Sequence, residues 1–261
     1  MTQIEVNNIS FTYPKYEESD PVEIFKNVTL SIPYGVTGLV GQNGVGKSTF
    51  MLLCGGLLLP QSGDIYINGI NSRDVYSDEL TRRELVSFIY QNMEFETEEN
   101  ISALLKEVYN NGFLAGKNVS ENIIDEVIDV CELEKILDRK TQEISKGELQ
   151  RTIVAFSILY GTQIIMMDEP VFACEDYIKN KMFDYLIGYS KKYNISILYS
   201  AHELELTEKY SEYVIFFYKK SNPIIGKTSE LFGKKNIEEV FDAPYSVLKK
   251  REQFYREGLL L

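Results

Sequence analysis

The segment Gly41-Gln42-Asn43-Gly44-Val45-Gly46-Lys47-Ser48 constrains this chain more than any other. It fits G-x-x-x-x-G-K-[ST], a loop whose glycines let successive backbone N–H groups turn inward on phosphates. In that arrangement the Lys47 ammonium reaches the β- and γ-phosphate oxygens, and the Ser48 hydroxyl is a Mg²⁺ ligand. With glycine at about 7% of residues, a chance match in a chain this long occurs about once in 100. The context strengthens the reading. The apolar run Val36 to Val40 precedes the loop, and a helical stretch to Cys54, halted by Gly55-Gly56, follows it. Such a helix turns its positive end toward the same phosphates. The expected nucleotide contacts are Gly41, Gln42, Asn43, Gly44, Gly46, Lys47, Ser48 and Thr49.

Around this loop the hydrophobic pattern is that of an α/β protein. Ile4, Val6 and Ile9 alternate with polar residues as in a half-buried strand, and Val28 to Ile32 follows before the breaker Pro33-Tyr34-Gly35. Ile65 to Ile67 runs into Asn68-Gly69, a strand entering a tight turn. From about 92 to 143 the chain becomes acidic and helix-patterned, with Val127, Val130, Leu133 and Leu137 at helical spacings. Strand runs flank that stretch: Val86 to Tyr90 before it, Ile164 to Met167 and Ile195 to Tyr199 after it. The outline is a nucleotide-binding α/β core with an inserted helical portion.

Composition narrows the class. A net charge of -12 disfavours a nucleic-acid partner, which needs clustered Lys and Arg. No apolar run approaches the roughly 18 residues that cross a bilayer, so no membrane insertion of its own is expected. The start, MTQIEVNN, lacks the pattern of a signal peptide. Cys54, Cys131 and Cys174 are odd in number and widely spaced, which suits thiols in a reducing cytoplasm.

Ile164 to Met167 ends in Asp168-Glu169-Pro170. Asp168, at the strand end, is placed to hold Mg²⁺ through water, and Glu169 to polarise an attacking water. With this pair some 120 residues after the P-loop, the chain resembles the ABC ATPases, from near its start to about residue 220, which implies an α/β P-loop NTPase core with an antiparallel β subdomain and an inserted helical subdomain. The resemblance implies further roles. Tyr13, in Phe-Thr-Tyr-Pro, looks like the aromatic that stacks on adenine. Gln91 looks like the glutamine that touches the Mg²⁺ and γ-phosphate region and couples it to a permease. His202, the single histidine, looks like the switch histidine at the γ-phosphate. Ile144-Ser145-Lys146-Gly147-Glu148 stands where the family has Leu-Ser-Gly-Gly-Gln, which completes the ATP site of the opposite subunit, so Ser145, Gly147 and Glu148 are candidate nucleotide contacts. Glu169, His202, Lys47 and Gln91 are the expected catalytic set, and Ser48, Gln91 and Asp168 the expected Mg²⁺ set.

Two segments depart from the family. Lys146 replaces a glycine and Glu148 a glutamine in the signature, while Ser145-x-x-Glu148 also reads as a helix capping box. Cys174 and Glu175 stand where the segment after Pro170 normally ends in Leu-Asp, so either Glu175 keeps the carboxylate one methylene longer or Asp176 supplies it after a shift. The ATP-gripping half thus matches the family and the half lent to a partner does not, which implies slow hydrolysis in a homodimer. The expected division is a cassette over 1–225, with a helical portion at about 92–160, and a helical tail over 226–261. That tail resembles those of cassettes serving metal-chelate, vitamin and energy-coupling-factor importers. The expected function is an ATP-binding and hydrolysing subunit that powers a separate membrane permease, with a second ATPase subunit as partner. The expected place is the inner face of the cell membrane. A soluble ABC ATPase, such as an iron–sulfur assembly subunit, and an exporter motor are the alternatives.

Overall fold

A computed structural model describes residues 2–14, 21–114, 122–170 and 174–256, the side chains of 255 and 256 excepted. In chain order the elements begin with β1 (Thr2–Tyr13), β2 (Val22–Pro33) and β3 (Val36–Val40), followed by α1 (Lys47–Cys54), β4 (Ser62–Ile67) and β5 (Ile70–Asn71). Next come α2 (Ser72–Ser77), α3 (Glu79–Leu85), β6 (Val86–Ile89), α4 (Ile101–Asn111), α5 (Ile123–Cys131), α6 (Lys146–Tyr160) and β7 (Ile164–Asp168). The chain ends with α7 (Asp176–Tyr193), β8 (Ser196–Ser200), α8 (Leu204–Tyr210), β9 (Tyr213–Phe216), β10 (Ile224–Lys227), α9 (Thr228–Leu231), α10 (Lys234–Phe241) and α11 (Tyr245–Arg256). These group into two compact units, Met1–Arg82 with Ser200–Leu261, and Arg83–Tyr199.

The first unit carries an antiparallel sheet in the order β2-β1-β4-β5. Alternation puts Ile4, Val6 and Ile9 on the buried face of β1, opposite Ile32, Leu30 and Val28 of β2. Register shifts interrupt this pairing, and Asn8 (φ 53°) and Asn27 (φ 52°) take left-handed backbone. Asn68 (φ 49°) and Gly69 (φ 80°) form the two-residue β4–β5 turn, where both central residues need positive φ. In the same unit β3 lies parallel to β9, which pairs antiparallel with β10. β3 is buried at every position, as a strand covered on both faces must be. The division expected at residue 225 falls inside β10, because Lys227 still pairs with Tyr213.

The second unit orders its strands β8-β7-β6, with β6 and β7 parallel in the register Val86↔Ile164 to Ile89↔Met167. β7 and β8 are buried throughout. The helix-patterned stretch becomes α4, α5 and α6, and Ile123, Val127 and Cys131 form the buried stripe of α5 at i, i+4 and i+8. Gly161 (φ 74°) ends α6 in the left-handed backbone usual after a helix. Among the described residues no helix is long and apolar enough to cross a membrane. Cys54, Cys131 and Cys174 are buried and form no disulfide. Burial pushes the Cys131 thiol up to about 12 and raises that of Cys54 as well, so neither is a reactive thiolate.

Candidate functional site

In the first unit, β3 delivers the chain into the glycine loop and α1 carries it away. Gly44 (φ 77°) and Gly46 (φ 97°) both adopt left-handed backbone. A Cβ on Gly46 would meet Ile24 Cγ2 at 2.6 Å and Phe25 Cζ at 3.0 Å, whereas one on Gly44 would meet nothing within 4 Å. Gly46 has no side chain to cap α1, and a helix start of this kind turns a positive end toward anions. Lys47 is buried, and its ammonium donates to the carbonyls of Gly41 at 2.9 Å and Gln42 at 3.0 Å. Ser48 is exposed. The Tyr13 hydroxyl lies 3.2 Å from Thr49 Oγ1, and its ring packs edge-on against Phe11 with centroids 4.9 Å apart. Half-exposed Tyr13 therefore presents an aromatic face beside α1.

His202, exposed between β8 and α8, shares one cavity of about 360 Å³ with Gly41, Gln42 and Asn43. The remaining wall comes from the C-terminal segment, including Phe241, Val247 and Arg251. The Gln42 side-chain amide donates to the Phe241 carbonyl at 2.5 Å. This contact of the tail with the loop is the part the sequence conceals, since 199 residues separate the two partners.

In the second unit, parallel β6 and β7 release Gln91 and Glu169 from neighbouring strand ends. Gln91 Nε2 donates to Glu169 Oε2 at 2.8 Å. Glu169 has φ 53°, a left-handed conformation costing a side-chain-bearing residue on the order of 1–2 kcal/mol. That turn re-aims the carboxylate one residue after buried Asp168. Past Gln91 the chain runs through Met93 and Phe95, which border an apolar cleft of about 480 Å³ with Phe88, Leu104, Ile153 and Phe156. Of the acidic stretch Glu94, Glu96, Glu98 and Glu99, Glu98 is engaged by Lys140 at 2.6 Å. The hydrogen bond from Lys140, more than its charge, holds the Glu98 carboxyl below its usual range.

The family model described as ABC transporter matches residues 25–172. The chain belongs to that family. Over 205 residues, 76% of this chain and 85% of the relative, it is 30% identical to the lipoprotein-releasing system ATP-binding protein LolD of Ehrlichia chaffeensis. It is 30% identical to the energy-coupling factor transporter ATP-binding protein EcfA1 of Fusobacterium nucleatum, covering 90% of this chain and 92% of that one. It is 25% identical to the petrobactin import ATP-binding protein FatE of Bacillus anthracis, covering 94% and 96%. Its fold matches that of a dimeric ATP-binding cassette bound to ADP and Pi, at TM-score 0.73 and 24% identity over 86% of this chain and 98% of that one. The protein is thus an ABC transporter ATP-binding subunit, and it binds and hydrolyses ATP.

The altered signature of this ABC subunit is folded onto itself. Ser145 caps α6, and both halves of the capping box are made. Glu148 Oε2 accepts from Ser145 N–H at 2.8 Å and from the Ser145 hydroxyl at 2.7 Å, while Ser145 Oγ accepts from Glu148 N–H at 3.3 Å. The Ser145 backbone N–H, then its hydroxyl, lower the Glu148 carboxyl below its usual range, so it is a carboxylate at neutral pH. The Cys174 thiol points at the Gly147 carbonyl at 3.9 Å, tying the segment after Pro170 to the signature. Val171 to Ala173 lie outside the described residues. Ser48 in the first unit carries a hydroxyl and Asp168 in the second a carboxylate, each by its chemistry a hard oxygen donor of the kind Mg²⁺ takes in preference to softer metals.

Proposed function

We propose that the subunit drives import through a separate membrane permease, from a composite ATP site completed by a second ATPase subunit. Glu169 orients the attacking water, Lys47 and the α1 N-terminus hold the β- and γ-phosphates, and His202 meets the γ-phosphate. Tyr13 stacks on adenine, and Ser145 with Gly147 faces the partner's nucleotide. Ser48, Asp168 and Gln91 are the residues we assign to Mg²⁺, which would supply charge neutralisation on the phosphates. The subunit docks peripherally at the inner face of the membrane.

The observation that carries this reading is the segment from Gln91 to Phe95. One end holds Glu169 by a 2.8 Å hydrogen bond and the other lines the apolar cleft. Apolar lining, with Met93 38% exposed at its edge, suits a short helix laid in a groove. The carboxylates of Glu94 and Glu96 suit the Lys and Arg enrichment of cytoplasmic permease loops. Support for import comes from relatives that match most of the chain: FatE, named for petrobactin import, covers 94% of it and EcfA1 covers 90%, whereas LolD covers 76%.

The test is Met93→Glu combined with Glu94→Lys and Glu96→Lys in the full chain. The variant is expected to lose co-purification of its membrane partner while its ATP affinity stays unchanged. Weaker ATP binding with normal capture of the partner would overturn the reading.

A further inference from the structure

The helix that follows His202 begins without a local cap. α8 starts at Leu204, and the side chain of its flanking residue, Glu203, makes no capping hydrogen bond. An acceptor arrives instead from the C-terminal helix. Glu252, buried on α11 at 6% exposure, accepts from the Glu205 backbone N–H through Oε1 at 3.0 Å. This supplies a carboxylate to the positive end of α8, the role a neighbouring Ser or Asp ordinarily fills. Lys249, one turn earlier, closes the link with its ammonium 2.6 Å from Glu205 Oε1 and 3.9 Å from Glu252 Oε2.

The same tail grips the phosphate loop. Phe241 accepts from Gln42 through its backbone carbonyl. Beneath both contacts one buried cluster joins Val40, immediately before Gly41, and Leu204, two residues after His202, to Ile237 and Val240 of α10. Phe241 and Leu248 pack against that cluster. The loop and the histidine therefore rest on one support, and the tail provides much of it.

We infer that Glu252 is a positioning residue for ATP hydrolysis, fixing the segment that carries His202 from the C-terminal helix. The inference rests on the proposal that His202 acts at the γ-phosphate. Removing Glu252 leaves α8 uncapped and lets the preceding residues swing, so His202 samples positions away from the cavity it shares with Gly41 to Asn43. Glu252 lines the cavity shared by Gly41 to Asn43 and His202, but its hydrogen bond goes to α8, while Lys47 is held by the carbonyls of Gly41 and Gln42, so the larger effect falls on the His202 segment and not on ATP binding.

The experiment measures kcat and KM for ATP in the full chain, as purified with any subunit that accompanies it, for His202→Ala, Glu252→Ala, Glu252→Gln, Glu252→Asp and the double variant Glu252→Ala/His202→Ala. The expected result is a fall in kcat of about tenfold for Glu252→Ala and for the shortened Glu252→Asp, the scale of one lost cap. KM stays within a factor of about two, as for an interaction felt only in the chemical step. Glu252→Gln keeps an acceptor oxygen at the same reach and retains most of the activity. The double variant is no slower than His202→Ala alone. Losses that add, or a Glu252→Asp as fast as the native chain, would overturn the inference. Should Glu252→Ala fail to fold, the Asp and Gln variants decide it alone. If His202→Ala leaves kcat intact, the proposed role of His202 fails instead, and the two failures are distinct.

Discussion

At the scale of single residues, the same side chain does different work depending on what it bonds. Glu148 illustrates this, because its carboxylate is spent on the Ser145 N–H and hydroxyl. The serine hydroxyl donates into its own cap, and a negative charge sits beside it. Restoring the family residues with Lys146→Gly and Glu148→Gln is expected to raise steady-state turnover several-fold in a homodimer; an unchanged rate would show that the signature does not limit it. Removing the cap has a pH signature too. Because its folded value is lowered, Glu148 adds stability above its unfolded pKa, lost as pH falls through the folded one, so the penalty of Glu148→Ala fades on acidification below pH 4.5. Tyr13 separates ring from hydroxyl. Tyr13→Phe loses only the contact with Thr49, whereas Tyr13→Ala loses a stacking face worth about 0.5–1.5 kcal/mol. ATP titrations are expected to show near-native affinity for the first and several-fold weaker binding for the second.

At the scale of elements, the loop between β3 and α1 shows why two glycines with the same motif role are not equivalent. Gly46 combines φ 97° with a Cβ site already filled by Ile24 and Phe25, while Gly44 has φ 77° in open space. Gly44→Ala is expected to cost about 1 kcal/mol, the strain of a left-handed alanine. Gly46→Ala adds the clash and is expected to lower the melting temperature further and abolish ATP binding, as thermal unfolding with and without nucleotide would show. Elements of this kind were legible in the sequence. Buried strands appeared as continuous apolar runs, α1 ended at Gly55-Gly56, and the β4–β5 turn was announced by Asn68-Gly69. The extent of β1 and β2 was less legible, because Asn8 and Asn27 interrupt their alternation with left-handed bulges. The tail was the least legible. The apolar pairs Val247/Leu248 and Phe254/Tyr255 recur at a helical spacing. In α11, however, Leu248 packs on the tail's own cluster, while Val247 and Phe254 are about half exposed. Residues 257–261 of that stretch lie outside the described residues. Period shows that a helix has an apolar face; only tertiary packing decides what the face meets.

At the scale of the whole molecule, the proposed composite site sets an ATP-gripping half that matches the family against a self-capped signature, and on that proposal turnover is a property of the pair rather than of the chain. Glu169→Gln removes the proposed general base, a loss of about 10²–10⁴-fold in hydrolysis, while leaving the P-loop untouched. With ATP and Mg²⁺ that variant is expected to shift from monomer to dimer in light scattering, alone or only with its partner, and which of the two occurs identifies the working assembly. No shift under either condition would contradict a shared site. Lys47 also has a consequence at this scale. Its ammonium, held by the carbonyls of Gly41 and Gln42, draws the loop around a cation. Whatever order this cation gives the loop is order that ATP need not supply on binding. Folding and recognition become linked equilibria. A distant substitution that lets the loop breathe weakens ATP affinity without touching ATP, and ATP in turn protects the fold against that substitution.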